Sequence, residues 1–127
     1  MKEIKAGINH TSKILVTSQN TALNMGSGDM MVLATPEMVA LMENAAMSCV
    51  SQYLEGYETT VGCSIYTTHI RPSKIGTTII GVATLTEIEG RKLTFHVEAK
   101  DADGNMIGEG THERFVVNRE KFLSKIK

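Results

Sequence analysis

Thr35-Pro36-Glu37-Met38-Val39-Ala40-Leu41-Met42-Glu43-Asn44-Ala45-Ala46-Met47-Ser48-Cys49-Val50-Ser51-Gln52-Tyr53-Leu54 is the one long helical pattern in this chain. Thr35 reads as an N-cap, because its hydroxyl can accept from the free N–H groups of a first turn. Pro36 suits the first helical position, where its missing N–H costs nothing, and Glu37 sets a negative charge near the positive end of the helix dipole. On a wheel at about 100° per residue, Glu37, Asn44, Ser48, Ser51 and Gln52 form one polar stripe and apolar residues cover most of the rest. So broad an apolar surface implies a helix wrapped by other structure. Glu43 stands outside the stripe, roughly 80° from Ser51 and between Val39, Met47, Val50 and Leu54. A carboxylate there must be paired, neutral, or in a pocket with a task.

Ahead of the helix, residues 8–17 end in the β-branched run Ile14-Leu15-Val16-Thr17 and read as a first strand. Residues 18–31 are a connection too long for a simple turn, of the kind that forms lids and binding loops. Gly26 and Gly28 make it flexible. After the helix, residues 60–70 place Val61, Cys63, Ile65, Thr67 and His69 on one face of a strand. Residues 77–88 are a β-branched run, Glu89-Gly90 suits a two-residue hairpin loop, and residues 91–100 alternate cleanly. Asp101-Ala102-Asp103-Gly104-Asn105 is a turn cluster, residues 106–117 a last strand, and residues 118–127 a short charged helix. Strands joined by short turns are antiparallel neighbours. The pattern predicts an α+β domain in which a curled antiparallel sheet of about five strands wraps around one long helix.

The 127 residues read as a single domain, 1–127. A net charge of −1 argues against nucleic acid or an anionic membrane as partner, since both favour a basic excess. No apolar run approaches a membrane span of roughly 20 residues, and the first residues lack an apolar signal core, so a cytoplasmic protein is expected. Cys49 and Cys63 read as two buried thiols, and His10, His69, His96 and His112 lack zinc-site spacing. No metal and no cofactor is called for.

Three residues stand out for chemistry: Thr35 at the helix start, Glu43 two turns on, and His69 near the end of the next strand. An inward Glu and an inward His on packed elements can share a proton, an arrangement suited to general acid–base work.

Leu33-Ala34-Thr35-Pro36, followed by Leu41-Met42-Glu43, resembles the hotdog-fold thioesterases, most closely the fluoroacetyl-CoA thioesterase-like group. Val61-Gly62, Thr68-His69-Ile70-Arg71-Pro72 with Gly76, Glu89-Gly90-Arg91-Lys92-Leu93 and Gly110-Thr111-His112-Glu113-Arg114 extend the likeness from Thr35 onward. The resemblance implies a hotdog domain acting as a homodimer on acyl-CoA bound at the subunit interface. It assigns catalysis to Thr35, Glu43 and His69, and substrate binding to Gly62. The chain departs from the group in residues 19–31, which contain no aromatic residue where the fluoroacetyl-specific pattern has a lid of them.

These readings combine into an acyl-CoA thioesterase for a short or medium acyl group. The helix N-terminus, with the Gly62 N–H, would stabilise the oxyanion. Glu43 would activate water or attack directly, and His69 would handle the proton of the leaving thiolate. Thr35 would orient the substrate or be the nucleophile. Arg71, Lys74, Arg91 and Lys92 are the candidates for CoA's phosphates. The alternatives are a non-hydrolytic acyl-CoA or acyl-carrier binding module and a hotdog dehydratase, since fold does not fix function.

Overall fold

The apolar stripe of the long helical pattern decides the architecture. In the computed structural model, which describes residues 1–126, helix α2 (Thr35–Val50) buries Met38, Leu41, Met42, Ala45, Ala46, Cys49 and Val50. A shorter helix, α1 (Ala22–Met25), precedes it. Strands β1 (Asn9–Leu15), β2 (Glu58–Thr67), β3 (Thr78–Glu89), β4 (Lys92–Asp101) and β5 (Met106–Asn118) form one antiparallel sheet in the order β1-β3-β4-β5-β2. Alternate residues of the central strands, among them Ile79, Ala83, Leu85, Leu93, Phe95, Val97 and Ile107, are buried in the core that α2 shares. Irregularities between Leu85 and Glu87, Gly62 and Ser64, and Ala99 and Lys100 bend the strands, as bulges do. The expected curled sheet around one helix is the fold observed. Among the described residues no helix is long and apolar enough to cross a membrane.

Several boundaries differ from the sequence reading, each for a local reason. α2 ends at Val50 and continues only as a 3-10 turn, Ser51–Tyr53. Its N-cap is Ala34, which makes no side-chain cap bond; Thr35 is the first helical residue and its hydroxyl is engaged elsewhere. β2 stops at Thr67, so His69 lies beyond the strand. Cys63 is the extra residue of the β2 bulge, without a residue opposite it in the β5 register, and its side chain is exposed, its thiol donating to Glu113 O at 3.3 Å; only Cys49 is buried. The hairpin loop is Gly90-Arg91, because Glu89 pairs with Lys92. The final helix, α3, spans Arg119–Ser124, because Asn118 is its cap and Lys125 closes it; of the expected span to residue 127 only Lys127 lies outside the described residues.

The segment ahead of α2 is folded rather than loose. Ala22 N–H donates to Val32 O, Leu23 N–H to Met30 O and Ala34 N–H to Asn20 O, so the chain doubles back on itself. Leu23, Met25, Met30 and Met31 remain exposed on this turn.

β2 lies unusually close to β5. A Cβ on Gly110 would collide with the Tyr66 carbonyl oxygen, and one on Gly108 with the Thr68 carbonyl oxygen. Neither obstacle is a flexible side-chain end. Gly110→Ala is therefore expected to lower stability by at least about 2 kcal/mol. Gly56→Ala, where an added Cβ meets nothing within 4 Å, should change stability by less than about 0.5 kcal/mol. Urea titrations of the two variants check this.

Candidate active site

Backbone pairing beyond β2 seats the first functional group. Thr68 N–H donates to Glu109 O and Ile70 N–H to Ile107 O, while Leu33 N–H reaches across to Ser73 O. His69 is thereby pinned against the start of α2, its Nδ1 2.7 Å from Thr35 Oγ1. Burial pushes the imidazole below its ordinary pKa, opposed in smaller measure by the backbone of Arg71. The ring is therefore neutral at pH 7. Nε2 is buried and has no hydrogen-bond partner among the described residues. In the tautomer with its lone pair on Nδ1, the Thr35 hydroxyl donates to His69, and the ring can take that proton.

The second group is built by the β2 bulge. Before it, Glu58 and Thr60 face inward; after it, Ile65 and Thr67 do. Gly62, at the switch, opens space that a side chain would fill. An added Cβ would lie 3.2 Å from Glu43 Oε2, 3.2 Å from His112 Cε1 and 3.3 Å from an Arg114 guanidinium nitrogen. The Arg114 side chain is 8% exposed and lies 3.8 Å from the Glu43 carboxylate, which is 42% exposed. Its guanidinium donates to Thr60 Oγ1 at 2.9 Å and to Thr60 O at 3.0 Å. It also donates to His112 Nε2 at 3.2 Å. His112 Nδ1, assigned as the protonated nitrogen from these partners, donates to Ser64 O at 2.7 Å. Burial first, and Arg114's charge as well, push His112 down, against the opposing pull of the Ser64 carbonyl, Glu43 and Glu113. Burial also works against the Arg114 charge, which Glu43 sustains. A cavity of about 330 Å³ opens over Glu43, Gly62, Ser64 and His112.

Of the residues singled out in the sequence, the fold thus brings Thr35 to His69 and Gly62 to Glu43. It does not unite the two pairs within a chain. Eight residues of α-helix separate Thr35 from Glu43, a rise of about 12 Å, and no hydrogen bond joins Glu43 to Thr35 or His69 among the described residues. Arg71 lies near Asp101, at 4.0 Å, and Lys74 is exposed beside the bridge to Val32. Arg91 is at the opposite end of the sheet, held by Glu58 at 3.2 Å and by Val116 O; Lys92 pairs with Glu113 at 3.3 Å.

Thr60, His112 and Arg114 complete the Glu43 group, and the sequence gives them no role from pattern alone. The available signal is the alternation on β5: Gly110, His112 and Arg114 share the face of buried Val116, while Phe115 points outward. A cation on an apolar face needs a partner, and that requirement points to Glu43.

The fluoroacetyl-CoA-specific thioesterase family matches residues 16–120. The fluoroacetyl-CoA thioesterase of Streptantibioticus cattleyicolor is 42% identical over 96 residues, covering 76% of this chain and 68% of that one. A crystal structure of a fluoroacetyl-CoA thioesterase superposes with a TM-score of 0.91 at 34% identity, covering 98% of this chain and 96% of that chain. Variants of that enzyme have been crystallised with acetyl-CoA and with fluoroacetate and CoA. A Thermus thermophilus member of the thioesterase superfamily gives a TM-score of 0.91 at 27% identity, over 98% of this chain and 92% of that one. Sequence likeness across the helix, the bulged strand and β5, on a sheet and helix that superpose almost end to end, places the chain in the fluoroacetyl-CoA-specific thioesterase family of hotdog-fold acyl-CoA thioester hydrolases.

Proposed function

We propose that this thioesterase hydrolyses short or medium acyl-CoAs as a cytoplasmic homodimer, each active site combining Thr35 and His69 of one copy with Glu43, Gly62 and Arg114 of the other. The observation that carries this reading is the division of the reactive groups into two incomplete halves about 12 Å apart on one helix. β2 supports it, since this edge strand has a neighbour on one side only. Tyr66 is 76% and Ile70 66% exposed along and just beyond it. Pairing of two β2 edges would extend the sheet through a two-fold axis and cover that surface.

In this arrangement the thioester carbonyl lies at the start of α2. Pro36 has no N–H and those of Glu37 and Met38 bond to Ala34 O, so the Thr35 N–H and the helix dipole are what this end offers a developing oxyanion. Glu43 takes a proton from water as the water oxygen bonds to the carbonyl carbon. The C–S bond then breaks, and the proton on Glu43 passes through the Thr35 hydroxyl to the neutral His69 ring, which releases it to the departing thiolate. Direct attack by Glu43 would give a mixed anhydride that water opens, and attack by Thr35 an ester. Arg114 supplies the positive charge that holds Glu43 in place.

Glu43→Gln and His69→Ala should each lower kcat by about 10²-fold or more, read as free-thiol release from acetyl-CoA. Thr35→Ser should keep activity that Thr35→Ala loses; because Thr35 is not the cap, that comparison reports on chemistry rather than on helix stability. Mixing the inactive Glu43→Gln and His69→Ala proteins under subunit exchange should restore about a quarter of wild-type activity, since half the dimers are mixed and each holds one intact site. No recovery would mean that each site belongs to a single chain.

The pH profile follows from His69. A depressed pKa keeps the ring neutral as the pH falls through 6.5, and activity that needs the neutral base is lost only below that value. The acid limb of kcat/KM should therefore centre below 6.5. A limb centred above it would remove His69 as the base.

Acyl selectivity rests on the turn ahead of α2, whose exposed Leu23, Met25, Met30 and Met31 offer adaptable apolar contacts and no aromatic wall. Hydrophobic contacts of this kind discriminate by about 1–3 kcal/mol. The kcat/KM ratio of fluoroacetyl-CoA to acetyl-CoA should stay well below about 10⁴, and a ratio at or above that value would sink this account of the turn.

A further inference from the structure

We propose that His96, Glu98 and Glu109 form a binding site for a divalent transition-metal ion, with zinc the best match, on the face of the sheet turned away from α2. None of the three belongs to the Glu43 or His69 groups.

The site arises from the period of two strands. Leu93, Phe95, Val97 and Ala99 of β4 are buried, so His96, Glu98 and Lys100 between and beyond them stand on the outer face. His96 and Glu98, two residues apart, are neighbours there. β5 supplies the third group, because Glu98 pairs with Glu109 in the register of the two strands. His96 Nε2 lies 3.1 Å from Glu98 Oε1 and 3.8 Å from Glu109 Oε2. One ligand atom from each of the three residues falls within 4.8 Å of the other two. A tetrahedral zinc shell with bonds of about 2.0–2.2 Å sets its ligand atoms roughly 3.3–3.6 Å apart. The two carboxylates are 26% and 52% exposed and free to turn by that difference. Zinc spacing is absent from the sequence because the third ligand comes from a different strand.

Charge and chemistry favour the same ion. Side chains directly opposite one another on neighbouring strands have Cβ atoms about 4.5–5.5 Å apart, and like charges placed so repel. Glu98 and Glu109 are such a pair. Lys100 Nζ, 3.5 Å from Glu98 Oε2, offsets part of this charge and leaves Oε1, the oxygen beside His96, to the ion. Two carboxylates alone would suit magnesium or calcium, and the imidazole shifts the preference to zinc and its neighbours. Zinc takes the position of the Nε2 proton, which the neutral ring then carries on Nδ1. Three protein ligands leave a fourth position to water. Glu109 O also accepts from Thr68 N–H, the residue before His69. An ion that ties β4 to β5 here therefore braces the strand from which His69 is held.

Calorimetric titration of the chelator-treated protein with zinc chloride tests the site. The wild type should bind one zinc per chain, and zinc should raise its Tm. His96→Ala and Glu109→Gln should each weaken binding about tenfold or more, with a matching loss of the zinc-dependent gain in Tm. Glu109→Gln also separates a metal site from a simple ion pair. Without zinc it removes a like charge and should melt no lower than the wild type, so its defect should appear only when zinc is present. Cys63→Ser, which removes the exposed thiol, should leave binding intact. The proposal is overturned if the wild type takes up no zinc at millimolar concentration, or if His96→Ala or Glu109→Gln binds zinc as the wild type does. Loss of uptake in Cys63→Ser also overturns it, since the ion would then sit at the β2 bulge.

Discussion

One extra residue in β2 changes which side of the strand faces helix α2, and the Glu43 group exists because of that change. With an unbroken two-residue period, the face that carries Glu58 and Thr60 would also carry Ser64 and Tyr66. The bulge at Cys63 instead returns Ile65 and Thr67 to the interior and leaves Gly62 at the reversal. The Ser64 carbonyl is thereby turned toward His112, which fixes the His112 tautomer, and His112 in turn accepts from Arg114. The carboxylate on α2 thus meets a cation that is oriented through a chain of hydrogen bonds beginning in the backbone of the bulge.

That cation is sustained from several directions. Its guanidinium is engaged by Thr60 twice and by His112 once, so Glu43 can stay partly open to solvent while remaining beside a positive charge. An arrangement of this kind is asymmetric in energy. Removing the carboxylate strands a buried charge, whereas the intact pair adds little net stability over an apolar replacement. The pair is better understood as a means of positioning than as a source of stability.

The elements governed by simple periodicity were legible in the sequence. The apolar stripe of α2 and the alternation of β4 predict one wrapped helix and an antiparallel sheet, and both are present. Thr35 and His69 come together, whereas the proton-sharing pair of Glu43 and His69 expected from the sequence makes no hydrogen bond among the described residues. The bulge was not legible, because an inserted residue leaves no mark in composition and Cys63 looks like any strand residue. Reading β2 as unbroken put Cys63 inside and extended the strand to His69, where the structure has an exposed thiol and a strand end at Thr67. His112 and Arg114 were hidden for a related reason: polar residues on an inward face are recognisable only once their partners, contributed by α2 and β2, are known. The spacing of eight between Thr35 and Glu43 was plain throughout, and with the rise of a helix it already forbids a meeting within one chain.

The turn ahead of α2 carries a chemical liability along with its apolar surface. Met25, Met30 and Met31 are exposed thioethers, and exposed thioethers are open to oxidation to the sulfoxide. Each conversion replaces a flexible apolar group with a polar, chiral one, so the character of this rim is set by the oxidant level around the protein as well as by its sequence. An aromatic rim would keep its apolar face under the same exposure. A methionine rim is adaptable for as long as methionine sulfoxide reductases keep it reduced.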